Sequence, residues 1–104
     1  MIYYVDIDET ICKYPTVRKY ELAEPIHENI SKINQLYENG DTVVYWTARG
    51  STTGIDWTEL TYKQLKDWGA KYHELKLGKP HYDVFICDKA INSEAYFKKH
   101  TQEK

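Results

Sequence analysis

The 104-residue chain has two cysteines, Cys12 and Cys87, and they form neither a metal-ligand pattern nor a disulfide framework. No apolar stretch approaches the roughly 20 residues that span a bilayer. The opening run Met1-Ile2-Tyr3-Tyr4-Val5 reads as a strand rather than a signal peptide. These absences set the expectation of a cytoplasmic, reduced protein. There is no Gly/Ser-rich or Pro-rich linker, no repeat and no low-complexity run, so nothing divides the chain. A formal net charge of -2 excludes a global field that would attract nucleic acid backbones. With 41% hydrophobic and 29% charged residues, the composition is that of a globular domain, and its length suffices for one core. A single domain over residues 1–104 is expected.

Aromatic residues are abundant. Ten tyrosines and three tryptophans exceed what one small core needs, so some should line a site or a subunit contact. For any one of them, half-buried packing is the ordinary reading.

The hydrophobic pattern alternates between periods. The first apolar run is a buried strand, and residues 12–24 show no clean period, which suggests a loop or short hairpin over the sheet edge. Pro25 is placed to open a helix whose buried stripe is Ile26, Ile30, Ile33 and Leu36, and Asn39-Gly40 ends it. Thr42–Trp46 reads as a second buried strand, and residues 48–56 as a glycine-containing mobile loop. A second helix carries Trp57, Leu60, Thr61, Leu65 and Trp68 on one face up to Gly69, the tryptophans serving as core. A short strand is predicted around Tyr72–Leu75, a loop over Lys76–Tyr82, a buried strand over Val84–Cys87 and a last helix over Ala90–Lys99. Strands alternating with helices argue for an α/β domain with a mostly parallel sheet.

Four polar islands stand after these strands or in the loops that follow them: Asp6-Ile7-Asp8-Glu9-Thr10, Thr47-Ala48-Arg49, Lys79, and Cys87-Asp88. The carboxyl edge of a parallel sheet is where ligands bind. Asp6 and Asp8, one residue apart, repel each other unless a cation or proton sits between them. Either could merely cap a turn, but two acids after a wholly apolar strand point to a divalent metal with chemistry attached. A carboxylate can attack phosphorus to give an aspartyl-phosphate, a second group can move the proton, and magnesium lets the anions approach. Thr47, with nearby N–H groups of Ala48, could hold a phosphoryl oxygen. Arg49 suits bidentate phosphate contact, and a solvated surface arginine is the competing reading. Lys79 could neutralise charge on the nucleophile, and Asp88 offers a third carboxylate.

Taken in this order, the islands resemble the four motifs of the haloacid dehalogenase superfamily. Asp6–Thr10 matches the first, Val43–Thr47 the second, Lys79 the third and Asp88 the fourth. The resemblance implies a Rossmann-like three-layer sandwich with a mostly parallel sheet, Asp6 as nucleophile and Asp8 as general acid/base. It also implies magnesium held by Asp6, Asp8 (through its backbone carbonyl) and Asp88, with Thr47 and Lys79 on the transferring phosphoryl group. Asp8 matches the phosphatase branch, since halide-removing members lack the second acid. Many members carry two acids in the fourth motif; here Cys87 precedes Asp88, and Asn92 stands a turn later.

Neither gap between motifs has room for the family's cap domain. A capless site is open to a macromolecular end, or can borrow a cover from a neighbouring subunit in a homo-oligomer. Segments 12–24 and 48–56 are its walls, with Lys13, Arg18, Lys19 and Arg49 as cations and Tyr14 and Tyr20 as stacking faces. The expected activity is magnesium-dependent hydrolysis of a small phosphorylated metabolite such as a sugar phosphate, as in similar capless members. Two alternatives remain. The Thr-Ala-Arg-Gly stretch resembles the 3′-phosphatase part of polynucleotide kinases, and a non-catalytic magnesium- or phosphate-binding module is the third reading.

Overall fold

The structure, a computed structural model, describes residues 1–101, with side-chain surroundings to residue 98. In chain order it contains β1 (Ile2–Val5), β2 (Cys12–Lys13), a 3-10 turn (Tyr20–Leu22), β3 (Glu24–Pro25), α1 (His27–Glu38), β4 (Thr42–Trp46), α2 (Thr58–Asp67), β5 (Glu74–Lys76) and α3 (Ser93–Thr101). The central sheet is parallel in the order β1-β4-β5, and β2 and β3 form a separate antiparallel pair. It is an α/β domain built on a parallel sheet.

Both long helices stop where the chain supplies a glycine. At the end of α1 the Gly40 N–H reaches the Tyr37 carbonyl and the Asp41 N–H reaches Leu36. At the end of α2 the same pair of bonds runs from Gly69 to Lys66 and from Ala70 to Leu65. These are Schellman caps, which need a left-handed residue after the helix; Gly40 and Gly69 supply φ of 95° and 73°.

Register shows which residues share a face. Tyr4 pairs with Val44 and Val44 with Glu74, so Tyr3, Val5, Val43, Tyr45 and Leu75 point to the other side. That side is the core. Val5, Val43, Tyr45 and Leu75 cluster with Ile30 and Ile33 of α1, Leu65 of α2 and Phe97 of α3. The opposite face is left largely open, with Ile2 70% and Tyr4 52% exposed and only Val44 buried.

Other expectations need correction. The predicted strand over Val84–Cys87 is not formed: these residues are irregular, and Ile86 is 94% exposed. The strand predicted at Tyr72–Leu75 lies later, at Glu74–Lys76, because register with Val44–Trp46 selects those residues. Pro25 does not open α1. The Ile26 N–H donates to the Ile11 carbonyl at 2.8 Å, which keeps Glu24–Pro25 extended against Cys12–Lys13 and delays the helix to His27. The last helix starts at Ser93 rather than Ala90, where the Asn92 side chain accepts the Ala95 N–H at 3.3 Å. Among the described residues no helix is long and apolar enough to cross a membrane.

Candidate functional site

The chain leaves β1 at Val5, and the next three residues divide by pleat. Ile7 is fully buried; Asp6 on one side of it is half-exposed, while the Asp8 side chain on the other is mostly buried. A tight turn follows, in which Thr10 and Ile11 N–H groups both reach the Ile7 carbonyl, at 3.1 and 2.9 Å. To close it, Glu9 takes φ 63°, a left-handed conformation that costs a side-chain-bearing residue about 1–3 kcal/mol. The turn is therefore held against strain, and it fixes where Asp8 points.

Asp6 faces the sheet edge. Its Oδ1 accepts the Ile7 N–H at 2.9 Å, and its Oδ2 lies 3.3 Å from Lys79 Nζ. Lys79 comes from the loop after β5 and is pinned at both backbone groups. Its N–H donates to the Thr47 carbonyl at 3.1 Å, and its carbonyl accepts the Ser51 hydroxyl at 2.7 Å. The ammonium sits 5.7 Å from the Trp46 ring centroid and 5.4 Å from that of Tyr82. Burial works against its charge, but the Asp6 carboxylate and Tyr82 outweigh that, and Lys79 titrates above the ordinary lysine value.

Thr47 directly follows β4 and is buried. Its hydroxyl oxygen accepts the Arg49 N–H at 3.1 Å, which leaves the hydroxyl proton as a donor. Ala48 is half-buried beside it, and its carbonyl accepts the Ser51 N–H at 2.9 Å.

Asp8 is committed elsewhere. Arg49 Nε donates to its Oδ2 at 3.2 Å and Nη2 to its Oδ1 at 2.9 Å, and the Tyr14 hydroxyl also donates to Oδ1. Burial alone would raise the Asp8 pKa. The Arg49 hydrogen bonds and charge, with Tyr14 and Cys12, outweigh it and hold the carboxyl below its usual value. Cys12 is pushed up to about 12, by burial first and then by the Asp8 charge, so its thiol stays protonated.

Arg49 is neither the surface residue nor the phosphate clamp that its type suggested. Its side chain is fully buried. Besides Asp8, Nη1 donates to Thr61 at 3.2 Å and Gln64 at 2.6 Å, and Nη2 reaches the Tyr14 hydroxyl at 3.4 Å. A guanidinium has five N–H groups, and this set of contacts leaves none for a phosphate. Its carbon lies 4.8 Å from the Tyr20 ring centroid, so Tyr14 and Tyr20, expected as stacking faces, serve the buried arginine instead. Tyr14, Thr61, Gln64 and Tyr20 were missed as partners. The helical spacing of Thr61 and Gln64 was visible, but nothing in it pointed to an arginine.

Asp88 lies on the exposed 81–92 segment, and Asn92 is used at the start of α3. Among the described residues no group of three or more His, Cys, Asp or Glu is placed to hold a metal ion. Asp6 offers a half-exposed carboxylate at the sheet edge. An open cleft of about 210 Å³ is lined by Gly50, Ser51, Ile55, Asp56, Leu77 and Gly78.

No family model matches the chain, and no curated protein matches it. Among solved structures, a crystal structure of a target protein from Vibrio cholerae is similar, with 22% identity, 92% of this chain and 86% of that one covered, and a TM-score of 0.79. At that identity the likeness is one of fold.

Proposed function

We propose that the chain is a phosphomonoester hydrolase of the haloacid dehalogenase type, with a Rossmann-like fold, acting through an aspartyl-phosphate on a small phosphorylated metabolite such as a sugar phosphate. One observation carries the reading. Lys79, from the far end of the sequence, brings its ammonium to 3.3 Å from Asp6 at the carboxyl edge of the sheet. The same loop is tied by its backbone to Thr47, at the end of the neighbouring strand. A half-exposed carboxylate, a fixed cation and a hydroxyl donor at one sheet edge suit attack on a phosphoryl group.

In this reading an Asp6 oxygen attacks phosphorus and the bond to the leaving oxygen breaks. Lys79 neutralises charge that gathers on the phosphoryl oxygens, and Thr47 donates its hydroxyl proton to one of them. Water then attacks the aspartyl-phosphate and frees Asp6. Asp8, held ionised by Arg49, suits the base that activates that water. Protonating the leaving oxygen requires Asp8 to take up a proton first, which Arg49 opposes. Magnesium is the proposed cofactor and would screen the approach of the two anions. Asp6, the Asp8 backbone carbonyl and Asp88 would hold it.

The Asp8–Arg49 pair favours a second reading, a phosphate-binding module without turnover, because it locks the proton-carrying group. Hydrolysis of p-nitrophenyl phosphate with magnesium, compared with the Asp6→Asn variant, separates the two. Beryllium fluoride should trap an adduct on Asp6, and activity no higher than the Asp6→Asn background with any divalent ion would sink the enzyme reading.

A further inference from the structure

We propose that Arg18 and Lys19 hold a second anion of the substrate, so that the preferred phosphomonoesters are small molecules carrying a further phosphate or carboxylate. The inference rests on the phosphatase reading for which end of the substrate meets Asp6. A row of contacts leads away from that end. The Tyr14 hydroxyl donates to Asp8, the group that handles the leaving oxygen in that reading. The Tyr14 ring in turn carries Arg18, whose guanidinium carbon lies 5.6 Å from the ring centroid. A leaving group that departs past Asp8 meets Tyr14 and then Arg18, with Lys19 next along the chain.

Positive charge on this rim is uncompensated. Residues 11–20 hold Lys13, Arg18 and Lys19 and no acid. Lys13 stands opposite Glu24 in the hairpin register. Arg18 and Lys19 are exposed, and among the described residues no carboxylate lies within ion-pair distance of either, Glu21 included. By contrast, the exposed Lys63 and Lys71 each lie against a carboxylate. Backbone bonds hold the turn between them in place: the Lys19 N–H donates to the Val17 carbonyl at 3.0 Å, and the Leu22 N–H to the Lys19 carbonyl at 2.8 Å. A guanidinium laid on a ring keeps its N–H edge free, and that planar fork pairs with a phosphate or carboxylate through two bonds. Solvated cations are the ordinary reading of such residues. Here the ring and the adjoining site set them where the far end of a small substrate falls.

Three esters test the proposal: glucose-6-phosphate, glucose-1,6-bisphosphate and 6-phosphogluconate. The second and third add a phosphate and a carboxylate, respectively, at the opposite end of the skeleton. With magnesium at low salt, kcat/KM for at least one doubly anionic ester should exceed that for glucose-6-phosphate by about tenfold, the return of one charge-assisted hydrogen bond. Which of the two gains identifies the anion. The gain should lie in KM, because a remote contact binds substrate and transition state alike. Arg18→Gln/Lys19→Gln should abolish the preference, while Lys63→Gln on α2 should leave it unchanged. Equal kcat/KM for all three esters, or a preference that survives the double variant, would overturn the proposal. Titration calorimetry of the Asp6→Asn variant with the same esters reads the preference as Kd, without turnover. Preference there, with no hydrolysis by the unmodified protein, would remove the phosphatase reading and keep the anion site. Hydrolysis without preference would do the reverse.

Discussion

Arg49 closes its Nε and Nη2 on the two carboxylate oxygens of Asp8, at 3.2 and 2.9 Å, with the arginine side chain fully buried and that of Asp8 10% exposed. Ties from Thr61, Gln64 and Tyr14 complete the set, so one ion pair joins the turn after β1, the turn after β4, the β2 hairpin and α2. A buried pair of this kind is costly to break from one side, because the remaining charge loses its partner.

Arg49→Met should therefore lower unfolding free energy by about 3–5 kcal/mol in urea denaturation. The double variant Asp8→Asn/Arg49→Met should recover part of that loss, since no charge is left unpaired. A single-variant loss under about 1 kcal/mol would mean the pair behaves as a surface bridge.

The same pair sets an acid limit. Asp8 titrates lower in the folded protein than an ordinary aspartate, near 3.8, so its stabilisation is fully present above that value. It is lost as pH falls through the folded value. Unfolding followed by circular dichroism should steepen below about pH 4, where an ordinary aspartate begins to protonate. Asp8→Asn should flatten that part of the curve; an unchanged slope would show that other carboxylates govern it.

Lys79→Met should reduce kcat on p-nitrophenyl phosphate by roughly 10²–10³-fold, the range seen when one charge-stabilising donor is removed. Thermal stability should shift little, because both backbone anchors of Lys79 survive the substitution. Turnover equal to that of the unmodified protein would separate Lys79 from the chemistry.

Metal dependence follows from the proposed reaction and can be read directly. Chelation by EDTA should abolish hydrolysis, and added magnesium should restore it. Full activity in the chelator would remove the ion from the reading while leaving Asp6 and Lys79 as its centre.

Tyr45 offers a check on the core. Its side chain is buried, and among the described residues its hydroxyl has no hydrogen-bond partner. Burial pushes its phenol well above the ordinary value, and a stranded polar group costs about 1–3 kcal/mol. Tyr45→Phe should raise the melting temperature by several degrees, as about 1 kcal/mol moves it by roughly 4–8 °C in a domain of this size. A lower melting temperature would mean the hydroxyl is satisfied.

Local signals were the readable ones. Thr42–Trp46 was found at its observed bounds because five consecutive residues carry strand propensity and a Gly40 cap precedes them. The stripe of α1 and the end of α2 at Gly69 were equally plain, since period and cap sit within a few residues. Val84–Cys87 failed the same test. Its pattern names a strand, but a strand exists only when an edge accepts it.

The sequence by itself determined the alternation of strand and helix and put Asp6, Thr47 and Lys79 just after or beyond strands, where a parallel sheet gathers its loops. Tertiary structure alone decided their partners. Lys79 meets Asp6 because the loop after β5 folds back across Thr47, and Arg49 disappears inside because Asp8, Thr61 and Gln64 happen to surround it. The physical reason is that an arginine's fate depends on which acceptors lie within its reach in space. Those acceptors come from turns and helices far apart along the chain, so no local pattern encodes them.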